Sequence, residues 1–536
     1  MKKGIIGITL VGIFILTSGF KNDFFAIAKQ IELFTSVFKE ITMNYVDETN
    51  PAELMDTALT AMLRELDPYT QYYNQQEVEQ ARINQSGEVA SIGARIKSNK
   101  NKLIVVALTQ DAPADQAGLQ PGDELVRIND IAISEYADNA INLLNGAANT
   151  SVNIAYKRQG KIYEAQIKRS ARKEKAVPFY ILDKEANGYI VLKEFTRTAS
   201  FEVGMAAKDL IDQGAKRLIL DLRNNPGGLL SEAVNVANLF VPKNTLITYT
   251  QSNIDKYNQS YKTKNEALDT QIPLAILINA KSASASEIVA GSLQDLDRAV
   301  IIGGKSFGKG LVQRPKNLSY GSQVKITISR YYTPSGRCIQ ALDYSKNGQA
   351  KENKKHKAFK TKAGRIVYDA GGITPDVSLA SSLVSPITQA LLDQDLIFDF
   401  STQYYLNNKG VNMNSYPKNS TIFKAFNQYL KKVEFNYETN TEKDLKKLKE
   451  QAEKEGMATK LNEALSNLEL QLKNTKAEAI ERQKEEILYW INKQLLSNYF
   501  YEKGAYEYFS KHNSEILEAK RILNDTKAYA DILNKA

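Results

Sequence analysis

The chain has 536 residues, 43% of them hydrophobic and 24% charged, with a net charge of +9. That length allows several domains with cores of their own, and the positive charge is spread out apart from a run at 351–362, which reads as a solvated basic loop and not a nucleic-acid surface. The single cysteine, Cys338, excludes an intrachain disulfide, and the two histidines, His356 and His512, lie near no carboxylate or nucleophile motif, which argues against a Ser-His-Asp mechanism and a histidine-rich metal site.

Lys2 and Lys3 precede an apolar stretch from Gly4 to Phe20, and polar Lys21-Asn22-Asp23 follows. These are the n-region and h-region of an export signal. Thr17-Ser18-Gly19 is only loosely of the A-x-A type, and the stretch is near the lower length limit for spanning a bilayer. A cleaved signal and an uncleaved anchor are both open for residues 1–21. Either one exports the rest, so the expected location is periplasmic, free or anchored to the inner membrane.

Residues 22–86 read as helices: "IAKQIELFTSVFKEI" and "AELMDTALTAMLREL" both have apolar positions at helical spacing. "LDPYTQYY" then breaks the pattern at Asp67-Pro68. Residues 87–170 form a β-rich unit, with strand-like "EVASIGARI" and "KLIVVALT", a turn at Pro121-Gly122-Asp123, a helical stretch from Ala137 to Leu144 and two closing strands. This order resembles a PDZ domain, most specifically at Ala112-Pro113-Ala114, Ala117-Gly118-Leu119 and Pro121-Gly122-Asp123. PDZ domains take up chain ends by strand addition. In this chain Ser91, Ile92, Gly93 and Ala94 occupy the place of the carboxylate-binding loop, with a simple strand edge as the other reading.

Residues 171–384 alternate strand and helix patterns: "GYIVLKEF", "SFEVGMAAKDLIDQG", "RLILDLR", "LLSEAVNVANLF", "PLAILINA", "ASEIVAGSLQDL" and "AVIIGG". "QVKITISRYYT" and "CIQ" read as further strands, which makes Cys338 a buried, inert thiol in a strand-like run. Residues 385–536 are helical and highly charged, with an apolar stripe in "AEAIERQKEEILYWINKQLLSNYFYEKGAYEYF" that reads as packing and not as a second active site.

The chemistry concentrates at Ser282-Ala283-Ser284-Ala285-Ser286-Glu287, between a buried strand and a helix. Small residues let backbone approach a ligand, and a helix start offers unpaired N–H groups. The bland reading is a serine N-cap with Glu287 completing a capping box three residues after Ser284. A serine nucleophile needs a base, and a lysine serves if burial keeps its amine neutral. Lys309 sits between Gly308 and Gly310, after an apolar strand and Phe307, where a close and dry setting is expected.

Two other spellings overlap there. Gly303 to Lys309 fits a phosphate-binding loop, but position 310 is Gly where Ser or Thr would hold Mg²⁺. Gly304 to Gly308 spells G-x-S-x-G, but Ser306 has no plausible histidine.

"KSASASEIVAGSLQD", then "GGKSFGKGLVQ", with "DLRNNPGG" upstream and a PDZ-like insert, resembles the C-terminal processing (tail-specific) serine proteases over roughly residues 30–380. The resemblance implies a multidomain α+β chain: N-terminal helices, a PDZ domain, and an α/β protease core of the ClpP/crotonase-like type, followed here by a C-terminal helical extension. It implies Ser284 as nucleophile, Lys309 as base, Gln313 orienting that lysine, and an oxyanion hole from the amides of Gly227 or Gly228 and of Ala285. It also implies endoproteolysis near the C-termini of proteins with apolar, unstructured tails, with no cofactor or metal. A tail-binding scaffold of the same fold without hydrolysis is the alternative. Tyr69 departs from a histidine common in relatives. The extension lies outside the shared core, leaving homo-oligomerisation and adaptor recruitment open to its helices.

Overall fold

The computed structural model describes residues 24–86, 89–99, 102–133, 140–171, 175–344, 350–352, 356–369, 371–379 and 384–534. The expected export segment lies outside them. Among the described residues no helix is long and apolar enough to cross a membrane.

The chain divides into two compact units. Of the described residues, the smaller comprises 24–76, 313–327, 344 and 350. Residues 24–44 are helical. A second helix, Pro51–Arg64, begins where the Asn50 side chain accepts from the Ala52 and Glu53 amides, with Pro51 in the first turn. Asp67 stops the helical run, because its Oδ1 accepts from the Tyr69 and Thr70 amides, both at 2.8 Å. Gln71–Tyr73 follows as a strand antiparallel to residues 323–325, and the Tyr69 ring meets Tyr344 edge-on at 6.2 Å.

The larger unit holds three packed bodies. The first is an antiparallel sheet in the order Ala94–Asn99, Lys102–Leu108, Glu124–Ile128, Ser151–Arg158, Lys161–Lys168. Its inner face buries Leu103, Val105, Leu125, Ile128, Val152, Ile154 and Ile167. Asp123 of the Pro-Gly-Asp turn is fully buried, where Arg158 donates to both its oxygens at 2.6 Å. The expected helix from Ala137 to Leu144 is described only at Ala140–Leu144, a single 3₁₀ stretch; 134–139 lie outside the described residues.

The second body is a six-stranded sheet. Strand β1 (Phe179–Leu182) is antiparallel to β2 (Asn187–Val191). Strands β3 (Arg217–Asp221), β4 (Leu274–Ile278), β5 (Val300–Gly303) and β6 (Val377–Ser378) continue from β2 in parallel. All five residues of β4 are buried, as expected for a parallel strand covered on both faces. Helices α1 (Ala199–Asp212), α2 (Leu230–Asn238) and α3 (Ala285–Asp295) pack on one face. The other face is covered by Ile516, Ala519, Ile522 and Leu523 of the helix Ser514–Asn524. The read-off tail therefore supplies one layer of the sheet's core.

The third body is helical, built from Pro386–Asp393, Leu396–Asn407, Asn419–Lys432 and Lys484–His512 around Phe400, Phe423, Phe426, Ile487, Ile491 and Leu495.

One strand expectation fails. Residues 337–341 form no strand, because their polar groups serve loop contacts: Ala341 N–H donates to the Gly308 carbonyl and Gly372 N–H to that of Ile339, both at 2.9 Å. Cys338 is half-buried in this loop, and burial pushes its thiol pKa up, in line with an inert role.

Candidate active site

Ser284 stands at the N-cap of α3 with φ 55° and ψ −112°. L side chains rarely adopt that conformation, which costs on the order of 1–3 kcal/mol and persists only where the surroundings impose it. The flanking small residues do so. Ser282 Oγ accepts from the Asn279 amide at 2.9 Å and donates to the Leu222 carbonyl at 2.8 Å. The Ala283 amide and Ser286 Oγ both donate to the Asn225 carbonyl, at 3.1 and 3.0 Å. The alternating serines thus fasten the loop before α3 to the turn that follows β3.

Glu287 is fully buried and accepts four hydrogen bonds. Its Oε2 takes the amides of Ser284 at 2.8 Å and Lys309 at 2.9 Å. Its Oε1 takes Ser306 Oγ at 2.6 Å and the Gly308 amide at 2.7 Å. Burial pushes the carboxyl pKa above its ordinary value while the four donors pull it back. The capping box expected at Ser284 is present, and its carboxylate also accepts from the amides of the lysine turn. Ser306 is consumed here: it donates to Glu287 and accepts from the Ile373 amide at 2.6 Å.

Lys309 is half-buried. A Cβ at Gly310 would stand 2.8 Å from the Gln340 nitrogen, and one at Gly308 would stand 3.0 Å from the Gly372 nitrogen. The glycines thus permit the close backbone approach expected of them. Phe307 differs from the dry wall expected: it is 50% exposed, with its amide bonded to the Ser282 carbonyl at 3.0 Å.

Gly227 and Gly228 have φ of 104° and 142°. A Cβ on Gly227 would lie 2.7 Å from the Ala283 carbonyl oxygen and 2.9 Å from the Ala285 nitrogen. The Gly227 amide donates to Asn225 Oδ1 at 2.9 Å. Asn225, also fully buried, donates through Nδ2 to the Leu192 carbonyl at 2.8 Å. In sequence this asparagine is one position of "DLRNNPGG", with no local signal for its part.

Two further groups escape a sequence reading. Tyr331, 1% exposed, directs its hydroxyl at the carbonyls of Lys309, 2.6 Å away, and Ser284, 3.2 Å away. In sequence it is one position of a strand-like run, with no local signal. Beneath the turn after β3, Arg223 donates to both oxygens of Asp221 and to Asn513 and Glu515 at the start of the helix Ser514–Asn524.

Gln313 falls in the smaller unit, where its amide donates to Thr327 Oγ1 at 3.2 Å. In the PDZ-like body, the Ser91 amide donates to the Ser170 carbonyl at 3.2 Å and the Gly93 amide to Ser91 Oγ at 3.3 Å. The Ile92 side chain is 1% exposed in the core, and Ala94 opens a strand paired with Leu108. The amides of Ser91 and Gly93 are therefore already engaged. His356 Nδ1 lies 3.0 Å from the Asp369 carbonyl, and His512 stacks on Tyr508, both exposed.

Three family profiles match the chain: "PDZ domain" over 90–168, "Peptidase family S41" over 186–346, and "Probable PDZ-protease, C-terminal helical domain" over 387–523. A "Probable CtpA-like serine protease" of Staphylococcus epidermidis is 33% identical over 60% of this chain and 65% of its own length. One of Staphylococcus haemolyticus is 31% identical over 63% of this chain and 68% of its own. The chain thus spans just under two thirds of the first relative. Among solved structures, a photosystem II D1 C-terminal processing protease is 25% identical with a TM-score of 0.37, covering 66% of this chain and 93% of that one.

Proposed function

The chain belongs to peptidase family S41, and from that premise we propose that it is an exported serine endopeptidase that cleaves proteins near apolar, unstructured C-termini through Ser284 and Lys309. The observation that carries this reading is the Glu287 carboxylate, which accepts from the backbone amides of both residues and so couples nucleophile and base. Lys309 takes the Ser284 Oγ proton as that oxygen bonds to the substrate carbonyl carbon. It returns the proton to the departing amine as the C–N bond breaks, and water then releases the acyl group.

The developing oxyanion is assigned to the amides of Gly228 and Ala285, because Gly227 already spends its amide on Asn225. For Gln313 as the residue orienting Lys309, the support is the family resemblance. The tail of the substrate is assigned to the outer edge of Ala94–Asn99, which among the described residues ends its sheet and pairs on one side only. Export rests on the basic-apolar pattern of residues 1–21.

The test uses a purified unstructured protein ending in apolar residues. Ser284→Ala and Lys309→Ala are expected to abolish cleavage, the lysine change costing at least about 10²-fold, while the tail still binds. Unchanged proteolysis in both variants refutes the assignment. Wild-type binding without any cleavage would favour the scaffold reading.

A further inference from the structure

We propose that the Tyr331 hydroxyl is a positioning group that fixes the distance between nucleophile and base by holding both of their carbonyls, opposite the carboxylate that holds both of their amides. The inference rests on Ser284 and Lys309 being that pair.

Each peptide group has two handles, an N–H and a C=O. Glu287 takes the N–H handles of Ser284 and Lys309. The C=O handles converge on one phenol: Tyr331 Oη is 2.6 Å from the Lys309 oxygen and 3.2 Å from the Ser284 oxygen. A phenol has one proton to donate, so the shorter bond takes most of it and the longer one shares it. The two carbonyls are not equally dependent. The Ser284 oxygen also accepts from the Glu287 and Ile288 amides at 2.9 and 3.0 Å, as part of the α3 cap. The grip on the lysine turn is double, because the Tyr331 amide also donates to the Gly310 carbonyl at 3.0 Å. Tyr331 thus ties the Gly-Lys-Gly turn to the start of α3.

Burial pushes the phenol pKa well above its ordinary value, with Glu287 adding to the effect, so the hydroxyl stays a neutral donor at working pH. Its neighbour Tyr332 serves elsewhere, stacked on Tyr249 at 5.2 Å, and provides a matched control.

The experiment compares Tyr331→Phe with Tyr332→Phe in the full chain, using the tailed protein substrate. Tyr331→Phe keeps the ring and removes the donor. The expected result is a kcat about 10–100-fold lower with KM unchanged, since small misplacements of reacting groups cost that much. The ascending limb of the pH–kcat/KM profile is expected to move to higher pH, as a loosened lysine turn admits water and the amine regains its proton. Tyr332→Phe should leave both unchanged.

Wild-type kcat and pH profile in Tyr331→Phe overturn the proposal, and so does a uniform loss of folded protein with normal kinetics in what remains. Should Tyr331→Phe fail to fold, a ring-fluorinated tyrosine at 331 alone keeps the shape and alters the donor; unchanged kinetics there overturn it equally. Activity surviving in Ser284→Ala or Lys309→Ala would instead remove the underlying pair, so the two failures are distinguishable.

Discussion

At the residue scale the four donors converging on the buried Glu287 carboxylate make conservative changes there costly. In Glu287→Gln one of the two oxygens becomes an NH₂ group facing N–H or O–H donors that now have no acceptor. Leaving a buried donor unmade costs about 1–3 kcal/mol, so this variant should melt earlier and turn over at least tenfold more slowly; thermal unfolding and steady-state rates check both. Gly227→Ala introduces a Cβ 2.7 Å from a backbone oxygen at φ 104°. Its expected outcome is loss of cleavage with tail binding retained, and retained cleavage counts against the close fit of turn and nucleophile. The stretches around Ser284 and Lys309 stood out in sequence because each is short and compositionally odd, and the family resemblance drew them together. The wider role of Glu287 did not stand out, since its other partners lie 19 to 22 positions away and local spacing shows only the cap. Tyr331 was hidden in ordinary strand alternation, where a buried tyrosine reads as packing.

At the element scale, strands and helices of the α/β body were readable from apolar runs and helical spacing, whereas their second covering layer was not. The helix Ser514–Asn524 carries an apolar stripe like its neighbours in the tail, and nothing in that stripe names the sheet it covers. Ile522 is 1% exposed against that sheet, so Ile522→Ala should cost about 2–5 kcal/mol, read as a lower midpoint in denaturant unfolding of the catalytic body. A midpoint unchanged there would place the helix outside its core. The helical body has a different sensitivity. Burial pushes the pKa of Tyr429, Tyr499 and Tyr501 up to about 12 from an ordinary 10. Unfolded tyrosines ionise more readily, so this contribution is complete below pH 10 and is lost as pH rises from 10 towards 12. Helical content and tyrosinate absorbance should therefore change together across that window; tyrosinate appearing fully near pH 10 with helix intact would contradict the burial.

At the scale of the whole molecule, the larger unit holds several cores, and polar contacts join two of them. The PDZ-like body meets the helical body through Lys97 and Asp395, Tyr501 Oη donating to Asp115 at 2.8 Å, and Gln494 Nε2 donating to the Val106 carbonyl at 3.2 Å. Partly exposed pairs of this kind are worth about 0–1 kcal/mol each. Lys97→Ala combined with Tyr501→Phe should therefore speed hydrogen exchange in 102–108 several-fold and leave 274–278 unchanged. Equal acceleration in both segments would mean that the bodies open as one.

The helix that covers the second face of the catalytic sheet has a consequence in time. Residues 516–523 are synthesised after every strand they cover, the last of which ends at Ser378. Arg223, beneath the glycine turn, likewise waits for Asn513 and Glu515. A growing chain thus carries its serine and lysine for more than a hundred residues (513 − 378 = 135) of elongation before that layer arrives. The order of synthesis thus leaves this face of the sheet without its covering layer until residues 513–523 have been made.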